Sequence, residues 1–275
     1  MRVALAAWQN GAFLGRHNLS ANDASCSRWS LVKELFARRY PTSVSVLVPF
    51  CLFVVLVPVY LFTGAYVRGR TLHMPEFWLD RVLPVQPTWT LVYGSLYLAV
   101  FLPMVVVHHE EHIRRTLWAF VMVWIGGSIG WLCFPTILPR PAMAEVGSGF
   151  CAWTLRIAYS WDAPYNCFPS LHVAQPFLAA LTCNLVSRRI GLAAVVWASL
   201  VAVSTLFTKQ HYVADVIAGI ILAGAAYLVC LRRYPLAAVP QLDERVVPVV
   251  LVGFAGIHLL LVAGFWVAYL FGAEH

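Results

Sequence analysis

The sequence predicts an all-α integral membrane protein with about six to seven transmembrane helices, and composition, apolar windows and the distribution of basic residues each point there. Of 275 residues, 61% are apolar and only 11% charged, against roughly 25% charged in a soluble domain. Apolar windows at 44–67, 89–107, 116–138, 171–186, 190–208, 212–231 and 247–271 approach or exceed the roughly 20 residues a helix needs to cross a bilayer. The segments between alternate windows hold 13 Lys/Arg on one side and 6 on the other. This asymmetry predicts a cytoplasmic N-terminus and an extracytoplasmic C-terminus. The net charge of +7 fits that orientation and contact with anionic lipid heads, and it gives no reason to expect a nucleic-acid partner.

Taken in order, residues 1–42 form a cytoplasmic N-terminal segment too polar to span, and Gln9 and Asn10 interrupt the only candidate signal-peptide core. Within it, Trp29, Val32, Leu35 and Phe36 recur at helical spacing with basic residues between them, predicting an interfacial helix over 28–40. Residues 43–275 read as one polytopic membrane domain, because the connections are short and no linker or repeat divides them. The loop "HMPEFWLDRVLPVQPTW" (73–89) carries aromatic residues suited to the interface or to guiding a lipid, with Asp80 and Arg81 as an expected ion pair. "HHEEH" (108–112) sets His108, Glu111 and His112 in the HxxEH order of some zinc peptidases, but it lies beside Arg114 and Arg115 with no evident third ligand. A solvated cytoplasmic loop is the better reading, and a membrane zinc peptidase is a remote alternative. Seven cysteines are scattered without a CxxC pair; Cys151 and Cys167 share the long outer loop, either as a disulfide or as two free thiols. His258 reads as a hydrogen-bonded histidine inside the last window.

The chemistry concentrates at two short stretches. In "FPSLHVAQP" (168–176) a helix start is predicted, with Asn166 or Ser170 able to cap and Pro169 tolerated in a first turn, so that His172 sits about one turn inside. In "TKQHYVAD" (208–215) the chain turns back at His211 to begin the next helix, with His211 and Asp215 at i,i+4 spacing. Both helices enter from the same side. Two helix N-termini, the Ser170 hydroxyl and the Lys209 ammonium offer donors to an anion. One imidazole held by a carboxylate can attack phosphorus while the second protonates the leaving oxygen, which is phosphoryl transfer without a metal or cofactor. Arg156, Asp162 and Asn166, in the preceding loop, can shape a polar head-group site or be surface residues.

These stretches resemble the type 2 phosphatidic acid phosphatase superfamily, whose motifs are usually written K-x6-RP, PSGH and SR-x5-H-x3-D. Here "PSLH" (169–172) and "STLFTKQHYVAD" (204–215) match the second and third, while "PRP" (139–141) supplies only Arg140 and Pro141 of the first, with Cys133 at the lysine position. The resemblance covers about 80–230 and implies a helical bundle of that type. It implies His211 as the nucleophile of a phosphohistidine, Asp215 as its orienting carboxylate and His172 as general acid, with Ser170 and Arg140 binding phosphate. Leu171 and Thr205 replace the motif's glycine and arginine, as in the branch that includes inositol phosphorylceramide synthases. Lys209 follows Thr205 by four residues and can supply the lost charge if the helix persists. The implied function is a lipid phosphate or pyrophosphate phosphatase acting at the extracytoplasmic interface, with membrane lipids as partners. The alternative is transfer of a phospho-head-group to an alcohol; a lipid carrier without chemistry is more remote.

Overall fold

The computed structural model describes residues 42–98, 101–233 and 241–272, so the expected interfacial helix at 28–40 lies outside the described residues. Among them the chain is all-helical, with eleven α-helices and no β-strand. In order these are α1 (Thr42–Val67), α2 (Trp78–Val82), α3 (Thr90–Tyr93), α4 (Phe101–Val106), α5 (Glu110–Cys133), α6 (Met143–Val146), α7 (Phe150–Trp161), α8 (Leu171–Asn184), α9 (Arg188–Phe207), α10 (Val213–Cys230) and α11 (Val247–Gly272).

Among the fully described residues four helices, α5, α9, α10 and α11, are long and apolar enough to cross a membrane, which does not confirm the six to seven expected. Two windows explain much of the difference. The stretch 89–107 is cut into short pieces, a 3₁₀ turn at Pro87–Trp89, α3, a second 3₁₀ turn at Gly94–Leu98, and α4. Pro103 lacks the N–H that would continue a helix, and Gly94 is a poor helix former at the break. The window 171–186 is α8, whose 14 residues reach only about 21 Å at 1.5 Å per residue, short of a hydrocarbon core about 30 Å thick. Its apolar residues face protein. Val173, Ala174, Leu178, Ala179, Ala180 and Cys183 are fully buried, and α8 is enclosed by α4, α5, α9 and α10.

The ends of these helices converge on one face of the bundle. His73 N–H donates to the Pro135 carbonyl, Gln86 N–H to Phe207 and Leu138 N–H to Pro164, tying together the segments after α1 and α5, the segments after α5 and α7, and the segment after α2 with the end of α9. At the same end, Phe150 and Trp153 of α7 pack edge-on against Trp266 and Tyr269 near the C-terminus of α11. Arg114 and Arg115 both donate to Glu111, so the glutamate of the HxxEH run is held in ion pairs on the first turns of α5. Cys151 and Cys167 are free thiols, and burial raises the pKa of Cys167 well above the usual thiol range.

Close helix approach grips the Pro-Ser-Leu-His segment. A Cβ on Gly219 of α10 would lie 2.5 Å from the Ser170 carbonyl oxygen, and one on Gly130 of α5 would lie 2.4 Å from Pro169 Cδ. The first obstacle is backbone and cannot rotate away. Gly219→Ala is therefore expected to destabilise the protein by about 1–3 kcal/mol and to lower activity by prising α10 from Ser170. Thermal unfolding in detergent and turnover of the same preparation check this; an unchanged midpoint with full activity would show the approach to be dispensable.

Candidate active site

The turn between α9 and α10 makes the first half of the site. Thr208, fully buried, ends α9 by donating its hydroxyl to the Ser204 carbonyl at 2.7 Å. Lys209 then takes the left-handed conformation, φ +49°. The N–H groups of Gln210 and His211 both return to the Thr205 carbonyl, at 2.9 and 3.3 Å. His211 thus precedes α10, which starts at Val213. Its pairing with Asp215 spans the helix start and does not run along a helix face as the spacing suggested. Asp215 Oδ2 lies 3.3 Å from His211 Nδ1 and accepts the Tyr212 N–H at 2.9 Å. One carboxylate oxygen therefore both closes the helix start and orients the imidazole. Asp215 is fully buried and His211 is 5% exposed.

The second half comes from α8. Ser170 occupies its N-cap position and its N–H donates to the Asp215 carbonyl at 3.1 Å, joining the two motif segments directly. His172 Nδ1 lies 3.1 Å from His211 Nε2. The proton positions follow from the neighbours: as a carboxylate, Asp215 accepts from His211 Nδ1, leaving Nε2 with its lone pair, and a bond across the 3.1 Å contact then requires the proton on His172 Nδ1. His211 Nε2 then keeps a lone pair that faces an N–H donor, an arrangement able to act as a nucleophile.

Around this pair the predicted phosphate ligands are placed unequally. Ser170 is fully buried, its hydroxyl makes no cap bond, and its Oγ has no hydrogen-bond partner among the described residues. The first turn of α8 therefore keeps donors beside His172 for an anion. At the start of α10 the Val213 N–H is already taken, by Asp80 Oδ1 at 2.9 Å. Arg140 donates to the carbonyls of Lys209 at 2.8 Å and Asp162 at 2.9 Å, with its guanidinium carbon 4.7 Å from the Tyr159 ring centroid. It clamps the turn that holds Lys209 to the loop that holds Asp162, and its buried Nε is unpaired among the described residues.

Lys209 differs from expectation. Because α9 ends at Phe207, Lys209 does not share a helix face with Thr205, which is fully buried and donates its hydroxyl to Ala202. The ammonium instead donates to the Asp80 carbonyl at 2.8 Å, and burial lowers its pKa against the opposing pull of Asp80 and Glu76. Asp80 is not paired with Arg81, which binds Glu76 at 3.1 Å. Its carboxylate accepts the N–H groups of Phe77 and Val213, fastening the outer loop to the helix that carries Asp215.

The suggested head-group residues separate. Arg156 donates to the Gly147 carbonyl. Asn166, 5% exposed at φ +59°, donates to the Tyr60 carbonyl and the Thr63 hydroxyl of α1. It is a strut beneath the loop, inaccessible to a head group. Asp162 alone joins the histidines: its Oδ2 is 3.9 Å from His172 Nδ1, and its Oδ1 accepts the Tyr60 hydroxyl. Tyr93 completes the surround with its hydroxyl 3.3 Å from the same nitrogen. Sequence reasoning missed Tyr60 and Tyr93, which sit in apolar windows where a tyrosine carries no local signal.

A family model described as the PAP2 superfamily matches residues 71–229. No curated protein and no solved structure matches the chain.

Proposed function

Since this chain belongs to the PAP2 superfamily and is thus a phosphoesterase or phosphotransferase, we propose that it cleaves a lipid-linked phosphate or pyrophosphate through a phosphohistidine on His211. The observation that carries this reading is the chain of contacts Asp215–His211–His172, with spacings of 3.3 and 3.1 Å. A phosphoryl group entering between the rings replaces their mutual hydrogen bond. His211 Nε2 bonds to phosphorus as the phosphorus–oxygen bond to the lipid breaks, and His172 gives its Nδ1 proton to the departing oxygen. Water then attacks phosphorus, its proton passes to His172, and the phosphorus–nitrogen bond breaks. The Ser170 hydroxyl and the first-turn N–H groups of α8 are placed to hold the phosphoryl oxygens through both steps.

A second reading, transfer of a phosphodiester's head group to an alcohol as in inositol phosphorylceramide synthases, is favoured by the charges around the site. Asp162 and Asp215 flank the histidines, Arg140 spends two donors on carbonyls and Lys209 turns to Asp80. That inventory suits a monoanionic diester better than a dianion. Both readings share the first step and differ in the acceptor. A panel of lipid phosphates and phosphodiesters, each incubated with purified protein with and without candidate alcohols, separates them. Inorganic phosphate released without an alcohol is the expected result; a new lipid formed only with an alcohol would replace hydrolysis by transfer.

The basic-residue asymmetry supports an extracytoplasmic site. Cysteines at Ser148 and Glu110, both exposed, test it, with Ser148 preferred to Gly149 because the latter has φ +94°. Ser148→Cys is expected to react with an impermeant thiol reagent in intact cells, above the labelling of the parent protein, while Glu110→Cys stays protected until lysis. The reverse pattern would put the site in the cytoplasm.

A further inference from the structure

Asp162 lies outside the motifs that carry the family resemblance, yet its carboxylate is the one beside His172. A neutral imidazole cannot protonate an alkoxide and remain a stable species; the acid in the first step must be the imidazolium. His172 is only 20% exposed and Asp162 15%, and burying a cation without a counter-charge is costly. Asp215 cannot serve, because it is engaged on the far side of His211. Asp162 Oδ2, at 3.9 Å from Nδ1, stands at ion-pair rather than hydrogen-bond distance.

Asp162 is also held in place, through its carboxylate and its backbone, by three partners. Its Oδ1 accepts the Tyr60 hydroxyl from α1, its carbonyl accepts from Arg140, and its N–H donates to Ala158 to end α7. The other groups facing His172 are the Tyr93 hydroxyl and the His211 ring, which bring no negative charge. Arg140 brings a positive charge, drawn onto the Asp162 and Lys209 carbonyls.

We infer that Asp162 is a positioning residue for His172, held by Tyr60 and supplying the counter-charge that favours the ring's acidic form against its burial. The site then holds two carboxylate–histidine pairs face to face, Asp215 with the nucleophile and Asp162 with the acid. The inference rests on the phosphohistidine reading. In the first step the His211 Nε2–phosphorus bond forms, the phosphorus–oxygen bond breaks and the imidazolium proton goes to the departing oxygen. In the second, water's proton returns to His172, restoring the pair with Asp162 for the next cycle.

The test compares leaving groups in the full-length protein. Dioleoyl phosphatidic acid releases an alcohol that needs a proton, whereas 4-nitrophenyl phosphate releases an anion stable without one. Asp162→Asn keeps the shape and the Tyr60 hydrogen bond and removes the charge. It should cost about 10²-fold in kcat on phosphatidic acid and less than about threefold in phosphoenzyme formation from the aryl ester. In a His172→Ala background it should cost nothing further, since a counter-charge without its ring has no role. Tyr60→Phe, which frees Asp162 Oδ1, should show a smaller loss with the same leaving-group dependence, and serves if Asp162→Asn does not fold. Equal losses on both esters, or additive losses with His172→Ala, would overturn the inference and leave the phosphohistidine reading intact. Undiminished turnover in His211→Ala would overturn both.

Discussion

Replacing His211 by alanine is expected to abolish turnover, with a loss on the order of 10⁴-fold or more, because the atom that bonds to phosphorus is gone. Asp215→Asn should cost about 10³–10⁴-fold through a different physical route. Asp215 Oδ2 faces His211 Nδ1 at 3.3 Å and the Tyr212 N–H at 2.9 Å in a fully buried site. An amide there can present N–H to the ring in place of oxygen, which moves the proton to Nε2 and removes the lone pair that attacks. Binding should be disturbed less than rate, so kcat falls while KM moves little. Kinetics on whichever lipid ester the substrate panel identifies check both variants, and activity within tenfold of the parent in either would contradict these roles.

His172→Ala is expected to lose about 10²–10⁴-fold on a lipid ester, the range of a general acid, while an aryl phosphate able to enter the site restores the first step. The second step still lacks its base, so the phosphoenzyme should accumulate after a burst of nitrophenol close to one equivalent. The same aryl ester should give no burst with His211→Ala. Equal rescue of the two variants would mean that the roles are wrongly assigned, since loss of the nucleophile cannot be bypassed by a better leaving group.

The residues legible in the sequence were those with fixed local spacing. His211, Asp215 and the Pro-Ser-Leu-His segment sit within a few residues of one another or of a helix start, and turn chemistry brought them to the same end of the bundle. The number of spanning helices was less legible, because hydropathy does not distinguish an apolar residue facing lipid from one facing protein. Thus α8, which is short and enclosed, and the broken stretch from Pro87 to Val106 both read as spans. Lys209 was placed by extending α9 two residues too far; the buried Thr208 hydroxyl ends the helix and turns the lysine to Asp80. Asp162, Tyr60 and Tyr93 come together from three separate stretches of chain, and such a meeting has no periodicity to betray it. Glycines at close helix approaches are legible only once their neighbours are known, as Gly219 against the Ser170 carbonyl illustrates.

The central claim is that phosphorus passes through His211 Nε2, and trapping the intermediate tests it most directly. His172→Ala incubated with phosphorus-labelled 4-nitrophenyl phosphate, quenched in alkali and digested, should yield a single labelled peptide carrying an acid-labile, alkali-stable phosphate on His211. The label should be absent when His211 is also alanine. Label on another residue, or turnover of the parent protein with an alcohol or water attacking phosphorus in one step and inverting its configuration, would contradict the account.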